Sequence, residues 1–445
     1  MRIPRTIASS LAALIIAALP YTSDAAERRR PVRPAPVEQP PVIAATFFSW
    51  YEHDEREDRF ACTTVKPYGG PYDSGDPARV YEQLQLLRNG GVNAIGIITA
   101  GFKDEGLWSD EDSRASEELV IPFTRDLNMK YFAYYDTAIR SYWKSHFCLG
   151  PCPPYNPDYD SGESFDFDRF PKLKQQFVDD MTRIADMAVE NRDAYLYLQD
   201  KYGRAIRDTN GGLRPVIGLY LARAYRDQHG GETIRAMVEE VGQAFAARGF
   251  GRPAFMLDIA YYIDNGASFS GGYEADQVAA FGASAVALTS FGPVDAGYGP
   301  RMGVLSVDQD PSSGMGEWAP AFTMLYKETA RQIARDTRAG LLERGVQVWP
   351  GTMVNADFRN SCTGVTRNSR WPARGPEDAR AMVRAGLDTV SKSDIRPLVV
   401  FYSGEYYEGA ALCASTDPLG NVSYPNQYGC DPLRVLREEL ERDAE

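Results

Sequence analysis

Histidine is nearly absent. The 445 residues hold three, His53, His146 and His229, and no His or Cys spacing matches a zinc site. No structural metal or cofactor is expected. A Gly-rich phosphate loop is missing too. The segment after the first candidate strand, "FFSWYEHDERED", is aromatic and acidic, which argues against a dinucleotide-binding sheet. Positive charge is in deficit, with 48 Lys and Arg against 61 Asp and Glu and a formal net charge of −13. Such a surface disfavours nucleic acid and other polyanions. Beyond the N-terminus no run is long and apolar enough to cross a membrane. No cysteine precedes Cys62, so no lipid-attachment site lies near the start. No internal repeat is visible.

What is present begins with a leader. Arg2 and Arg5 precede the short apolar stretch Ile7 to Leu19, and Ser23-Asp24-Ala25 fits a small-x-small cleavage pattern. Residues 1–25 therefore read as a signal peptide, and the run is short for an uncleaved anchor. A secreted or periplasmic protein is expected. Residues 26–41, "AERRRPVRPAPVEQPP", are Pro-rich and basic and read as a disordered linker. Residues 42–445 are then a single domain. Cys62, Cys148, Cys152, Cys362, Cys413 and Cys430 would meet oxidising conditions, so disulfides are expected, in any of fifteen pairings. The sequon at Asn421 carries no weight behind a leader of bacterial style.

From residue 42 apolar, β-branched runs alternate with helical patterns. Eight candidate strands cover 42–50, 92–99, 130–136, 214–221, 253–260, 284–290, 345–351 and 396–403. Between them lie helical segments at 76–91, 168–203 (one long helix or a pair), 230–251, 317–344 and 375–392, and a last one from 431. Strands apolar on both faces and separated by helices imply a parallel sheet covered by helices. Eight such units predict an α/β fold, a (β/α)₈ TIM barrel with long βα-loop insertions at 52–75, 137–168, 261–273, 291–317 and 352–375. An open doubly wound sheet is the alternative.

A barrel builds its site from the residues just after each strand. Here those positions hold Trp50 and Tyr51, then Tyr135 and Asp136, then Tyr220, Asp258 and Asp357, and finally Glu405 and Glu408. Rings that stack on sugar C–H faces and carboxylates that hold hydroxyls suit a neutral polysaccharide or oligosaccharide. Asp73, in "GPYDSGD", is either a turn residue or a contact on the cleft floor. Glycoside cleavage needs a general acid and a base or nucleophile, and Glu405 with Glu408 can supply both. Positions three apart on a regular strand face opposite sides. The pair can share a cleft only if residues 404–409 turn or bulge, as the flanking glycines allow.

Several segments together are similar to one family. "VVFYSGEYYEG" (399–409) resembles the "SFNEWHEG" segment of glycoside hydrolase family 99, the endo-α-mannosidase group. "FFSWYEHDE", "GPYDSGD" and "VWPGTMVNADFRN" resemble, in order, its first strand, its G-x-Y-D-S-x-D stretch and its "PGYDD" region. The resemblance implies a (β/α)₈ barrel, no cofactor, and retaining hydrolysis of α-linked mannose or glucose chains. It implies that Glu405 is the base on the 2-hydroxyl, giving a 1,2-anhydro intermediate. Glu408 would protonate the leaving oxygen and later activate water. The ordinary covalent route remains open beside it. Gly404, Tyr406 and Tyr407 stand where the family segment has Asn, Trp and His, which leaves the sugar open and the carboxylate pair intact. Tyr406 and Tyr407 are further candidates for substrate contact. A carbohydrate-binding protein without turnover is one alternative. A glycan-modifying transferase is another, against which export argues, because nucleotide-sugar donors are cytosolic.

Overall fold

The computed structural model describes residues 36–49, 51, 66–67, 70–99, 115–136, 165–168, 171–220, 222, 225–226, 229–258, 279–289, 347–354, 356–357, 370–371, 376–390, 393–404, 412, 414–415 and 431–444. The compact unit runs from Glu38 to Glu445. All six cysteines, and the expected helix at 317–344, lie outside the described residues.

Eight parallel strands form the centre: β1 (Val42–Phe47), β2 (Ala94–Thr99), β3 (Lys130–Asp136), β4 (Val216–Tyr220), β5 (Ala254–Asp258), β6 (Ala285–Thr289), β7 and β8 (Leu398–Phe401). Strand β7 has two segments, Gln347–Val348 and Gly351–Thr352, on either side of Trp349-Pro350. Its first segment pairs with β6 and its second with β8. The sheet order therefore starts and ends on the same strand, passing through β6, β5, β4, β3, β2, β1 and β8. The ring is closed, and the fold is a TIM barrel. Nearly every strand residue is buried, because helices cover the outside and side chains fill the inside.

The helices arise from local signals where these are strong. Helix α1 (Pro77–Asn89) is capped by Asp76, whose Oδ1 accepts from the Ala78 and Arg79 amides at 2.9 and 3.4 Å. Helices α3 (Pro171–Glu190), α4 (Glu232–Ala247), α5 (Pro376–Thr389) and α6 (Asp431–Ala444) fall within the expected segments. A π-turn at Ser116–Val120 running into the short helix α2 (Ile121–Asp126) was not expected from the sequence. Helices α5 and α6 are joined by Glu439, which is 1% exposed and bonded to Arg380 and Arg442, with Arg384 at 3.5 Å. A carboxylate this deeply buried is tolerable only with such partners.

The expected helix over 168–203 stops at Glu190. The next stretch of chain is an antiparallel hairpin, with Tyr197 opposite Pro215, Gln199 opposite Ala205 and Arg207 opposite Leu213. This hairpin closes the N-terminal end of the barrel. It touches the chain just before β1 (Gln39 N–H to Lys201 O, 2.7 Å), before β5 (Gly251 N–H to Leu213 O, 2.8 Å) and before β8 (Arg396 N–H to Gln199 O, 2.9 Å). Arg214 also donates to Ala283 O, before β6, at 2.7 Å. Residues 38–40, read from the sequence as the end of a linker, are bound to this hairpin. Glu38 pairs with Lys201, and Pro40 O accepts from Arg396.

Candidate active site at the C-terminal mouth

The inward face of the barrel can be read from β3. Tyr134 donates or accepts a 2.5 Å hydroxyl–hydroxyl bond with Tyr402, which lies just after β8. Strands β3 and β8 are not neighbours, so this bond crosses the lumen. Both residues are fully buried. Side chains alternate along a strand, so Phe132, Tyr134 and Asp136 face inward. Room for the rings comes from glycine on the flanking strands. A Cβ on Gly218 of β4 would lie 1.7 Å from a Tyr134 ring carbon, and one on Gly96 of β2 would lie 2.9 Å from Phe132.

At the C-terminal ends of β3 to β6 the inward face becomes polar. Asp136 is in register with Tyr220, and Asp258 with Thr289. The Leu219–Leu257 pairing sets Tyr220 beside Asp258. Four consecutive strand ends thus present Asp136, Tyr220, Asp258 and Thr289 as one arc. The Tyr220 ring lies 6.4 Å from that of Tyr134 and is part-exposed, while Asp258 and Thr289 are fully buried. The Thr289 hydroxyl finds no hydrogen-bond partner among the described residues. A buried hydroxyl in that state costs about 1–3 kcal/mol.

On the other side, the end of β8 is held by hydrogen bonds from β1, the loop after β1, and β7. The Thr46 hydroxyl donates to Ser403 O and accepts from Ser403 N–H, both at 2.9 Å. Tyr402 N–H donates to Thr352 O at 2.8 Å. The Tyr51 hydroxyl donates to Gly404 O at 2.9 Å. Gly404 has φ +84°, a left-handed conformation natural to glycine, which breaks strand alternation directly before Glu405. Leu412 N–H then donates to the Ser403 side chain at 3.1 Å, so the chain returns to its starting point after eight intervening residues. The loops after β1 and β8 are also joined, by the antiparallel strands Lys66–Pro67 and Ala414–Ser415. Those after β3 and β4 are joined by the parallel strands Phe165–Asp166 and Tyr225–Arg226.

No family model and no curated protein matches the chain. Solved structures do. A glycoside hydrolase-like protein superposes with a TM-score of 0.54 at 12% identity, over 91% of this chain and 95% of its own. The family 99 endo-α-mannosidase from Bacteroides thetaiotaomicron, bound to bis-tris propane, gives 0.52 at 10% identity, over 91% and 98%. The fold is a TIM barrel similar to that of the family 99 structure. At these identities the likeness is one of backbone.

Within this barrel, the residues singled out from the sequence separate into groups. Asp136, Tyr220 and Asp258 come together in the arc. Tyr135, expected at a subsite, faces the other way. It is one residue from Asp136, so its side chain enters the helix layer, where the hydroxyl donates to Asp180 of α3 at 2.7 Å and the ring meets Phe177. Tyr51, expected to stack on a sugar, is fully buried, with its hydroxyl on Gly404. Asp73 takes the turn role: its Oδ1 accepts from Gly75 N–H at 2.5 Å and its carbonyl from Asp76 N–H at 2.9 Å. Asp357 lies in a two-residue strand, Ala356–Asp357, paired with Arg370–Trp371. Trp50, Glu405, Tyr406, Tyr407 and Glu408, and the side chain of Asp357, lie outside the described residues.

Sequence reading missed Thr46, Tyr134, Thr289, Tyr402 and Ser403. Strict alternation from Asp136 would have found Tyr134, and the polar ending of "AVALT" would have found Thr289. Among the described residues, no group of three or more His, Cys, Asp or Glu side chains could hold a metal ion. None of the described helices is long and apolar enough to cross a membrane.

Proposed function

We propose that the protein is an exported glycoside hydrolase that cleaves an α-linked neutral polysaccharide or oligosaccharide, mannan- or glucan-like, with retention. The observation that carries this reading is the arc Asp136–Tyr220–Asp258–Thr289 on one side of the mouth, with the held end of β8, at Gly404, on the other. A sugar in the mouth would meet carboxylates and a hydroxyl at its ring hydroxyls and Tyr220 at a ring face. Glu405 and Glu408 come directly after the left-handed Gly404, on a span pinned at Ser403 and Leu412. Glu408 protonates the departing glycosidic oxygen. Glu405 takes the proton of the 2-hydroxyl, so that the substrate's own oxygen displaces the leaving group and closes a 1,2-anhydro ring. Water, deprotonated by Glu408, then opens that ring, and the 2-oxygen recovers its proton from Glu405. Two inversions give net retention. Direct attack of Glu405 on the anomeric carbon would give the same stereochemistry. The leader at residues 1–25 supports delivery to the periplasm or the medium.

A second reading has its own support. Gly404 and Tyr407 stand where the family segment has the hydrogen-bonding Asn and His, which favours a carbohydrate-binding protein that has lost turnover. Reducing-sugar release from a panel of α-mannans, α-glucans and arabinan-type polysaccharides separates the two, with Glu405→Gln and Glu408→Gln run in parallel. Turnover lost in both variants is the expected result. Binding to one polymer without turnover would establish the second reading.

A further inference from the structure

We propose that Tyr51 is a positioning residue for the Glu405/Glu408 loop, acting through the Gly404–Glu405 peptide. The roles of the two glutamates are those proposed above, and the inference rests on that reading for its catalytic consequence. Its geometry does not. The Tyr51 hydroxyl donates to Gly404 O at 2.9 Å. That carbonyl belongs to the peptide unit whose nitrogen is Glu405, and a peptide unit is planar. Holding the carbonyl therefore sets the direction in which the chain enters the loop. Gly404 has no Cβ and can rotate more freely than any other residue, so the entry direction needs a hold from outside the strand.

Tyr51 is itself held on both sides of its backbone. Its N–H donates to Ser74 Oγ at 3.0 Å and its carbonyl accepts from Ser74 N–H at 2.8 Å. Its side chain is fully buried, with the Tyr72 ring 6.2 Å away. Ser74 sits in the Asp73–Asp76 turn that starts α1. A hydrogen-bonded path thus runs from the cap of α1 through Ser74 and Tyr51 to Gly404. The other holds on this strand end stop earlier: Thr46 bonds Ser403 and Tyr134 bonds Tyr402. Of these holds, the one from Tyr51 reaches closest to Glu405.

The test compares Tyr51→Phe with Tyr131→Phe. Tyr131 also buries a hydroxyl that donates to a carbonyl, Met187 O at 3.1 Å, but on the outer face of β3, away from the mouth. Hydrogen exchange read by mass spectrometry over peptides spanning 405–412 is expected to quicken about tenfold in Tyr51→Phe and to stay unchanged in Tyr131→Phe. On a substrate that the wild type cleaves, kcat is expected to fall about tenfold in Tyr51→Phe with KM within about twofold. Ser74→Ala, which removes the acceptor of the Tyr51 N–H while keeping the Ser74 N–H bond to Tyr51 O and the Tyr51 hydroxyl, should show the same exchange pattern more weakly, and it serves if Tyr51→Phe does not fold. Unchanged exchange over 405–412, or an equal rise in both tyrosine variants, would overturn the proposal. Faster local exchange with an inert wild type would leave the hold standing and sink the hydrolase reading instead.

Discussion

The two ends of the barrel are built on opposite terms. At the N-terminal end, the 191–215 hairpin meets the chain before β1, β5, β6 and β8, mostly through backbone bonds and arginines on carbonyls. Its charges are matched: Asp208 with Arg252, Asp200 with Arg204, and Lys201 with Glu38 and Asp394. At the C-terminal end, buried carboxylates and the Thr289 hydroxyl face the lumen, and a left-handed glycine follows β8. The closed end leaves the buried Tyr197 hydroxyl without a partner among the described residues, as the open end leaves that of Thr289, so the contrast lies in the ion pairs of the one and the run of strand-end acids of the other. In a barrel only the C-terminal ends of the strands feed the βα loops, which is why the proposed chemistry is placed at that end and not at the hairpin.

The comparison breaks most visibly if either glutamate is neutralised. Glu405→Gln and Glu408→Gln are each expected to cut turnover by about a thousandfold or more while leaving the melting temperature unchanged. Turnover indifferent to both changes would move the chemistry elsewhere in the mouth. Next in size is Gly218→Ala. Its new methyl would sit 1.7 Å from the Tyr134 ring, so Tyr134 must leave its place and give up Tyr402. A loss of about 3 kcal/mol in unfolding free energy is expected, and a calorimetric scan indistinguishable from wild type would contradict the packing described for the lumen.

At the closed end, Asp208→Asn should cost about 1–3 kcal/mol without touching kcat. The side chain of Asp208 accepts from Arg252 and from the Thr209 amide, and the Arg252 guanidinium holds its carboxyl well below the usual carboxylate range. A depressed folded pKa stabilises above the unfolded value of about 4 and is lost as pH falls below it. The wild type should therefore lose its advantage over Asp208→Asn on acidification, as read by urea midpoints across pH. An advantage that persisted well below the folded titration would contradict the pairing. Thr289→Val should reverse the signs of that pair. With its unsatisfied hydroxyl gone, the fold should gain up to about 1 kcal/mol while kcat/KM drops roughly tenfold. The smallest effect belongs to Arg204→Ala. Its side chain is 70% exposed, and a change within about 0.5 kcal/mol is expected.

The eight strands were legible because each is a short apolar run, β-branched in most and aromatic in β3 and β5, set between helical patterns. The cap of α1 was legible in Asp76-Pro77 for an equally local reason. The hairpin was not. "YLYLQ" comes after α3 without a break in apolar character, and what makes it extended is its pairing with Pro215 and with segments near residues 39, 250 and 395. The candidate site divides in the same way. Asp136, Asp258, Tyr135 and Tyr51 were all read from their places at strand ends, but position alone did not tell which of them face the lumen. Adjacent strand residues face opposite sides, so Asp136 in the lumen sends Tyr135 into the helix layer.

The sequence alone determined the number and order of the strands, and with them which residues stand at the C-terminal end. Those are properties of short windows, set by side-chain period and backbone propensity. Only the tertiary structure decided which hydroxyls meet. Tyr134 reaches Tyr402 and Tyr51 reaches Gly404 across more than 250 and 350 residues of chain, because β8 closes the ring beside β1 in one register. Closure brings those groups within hydrogen-bond distance, and no local pattern encodes it.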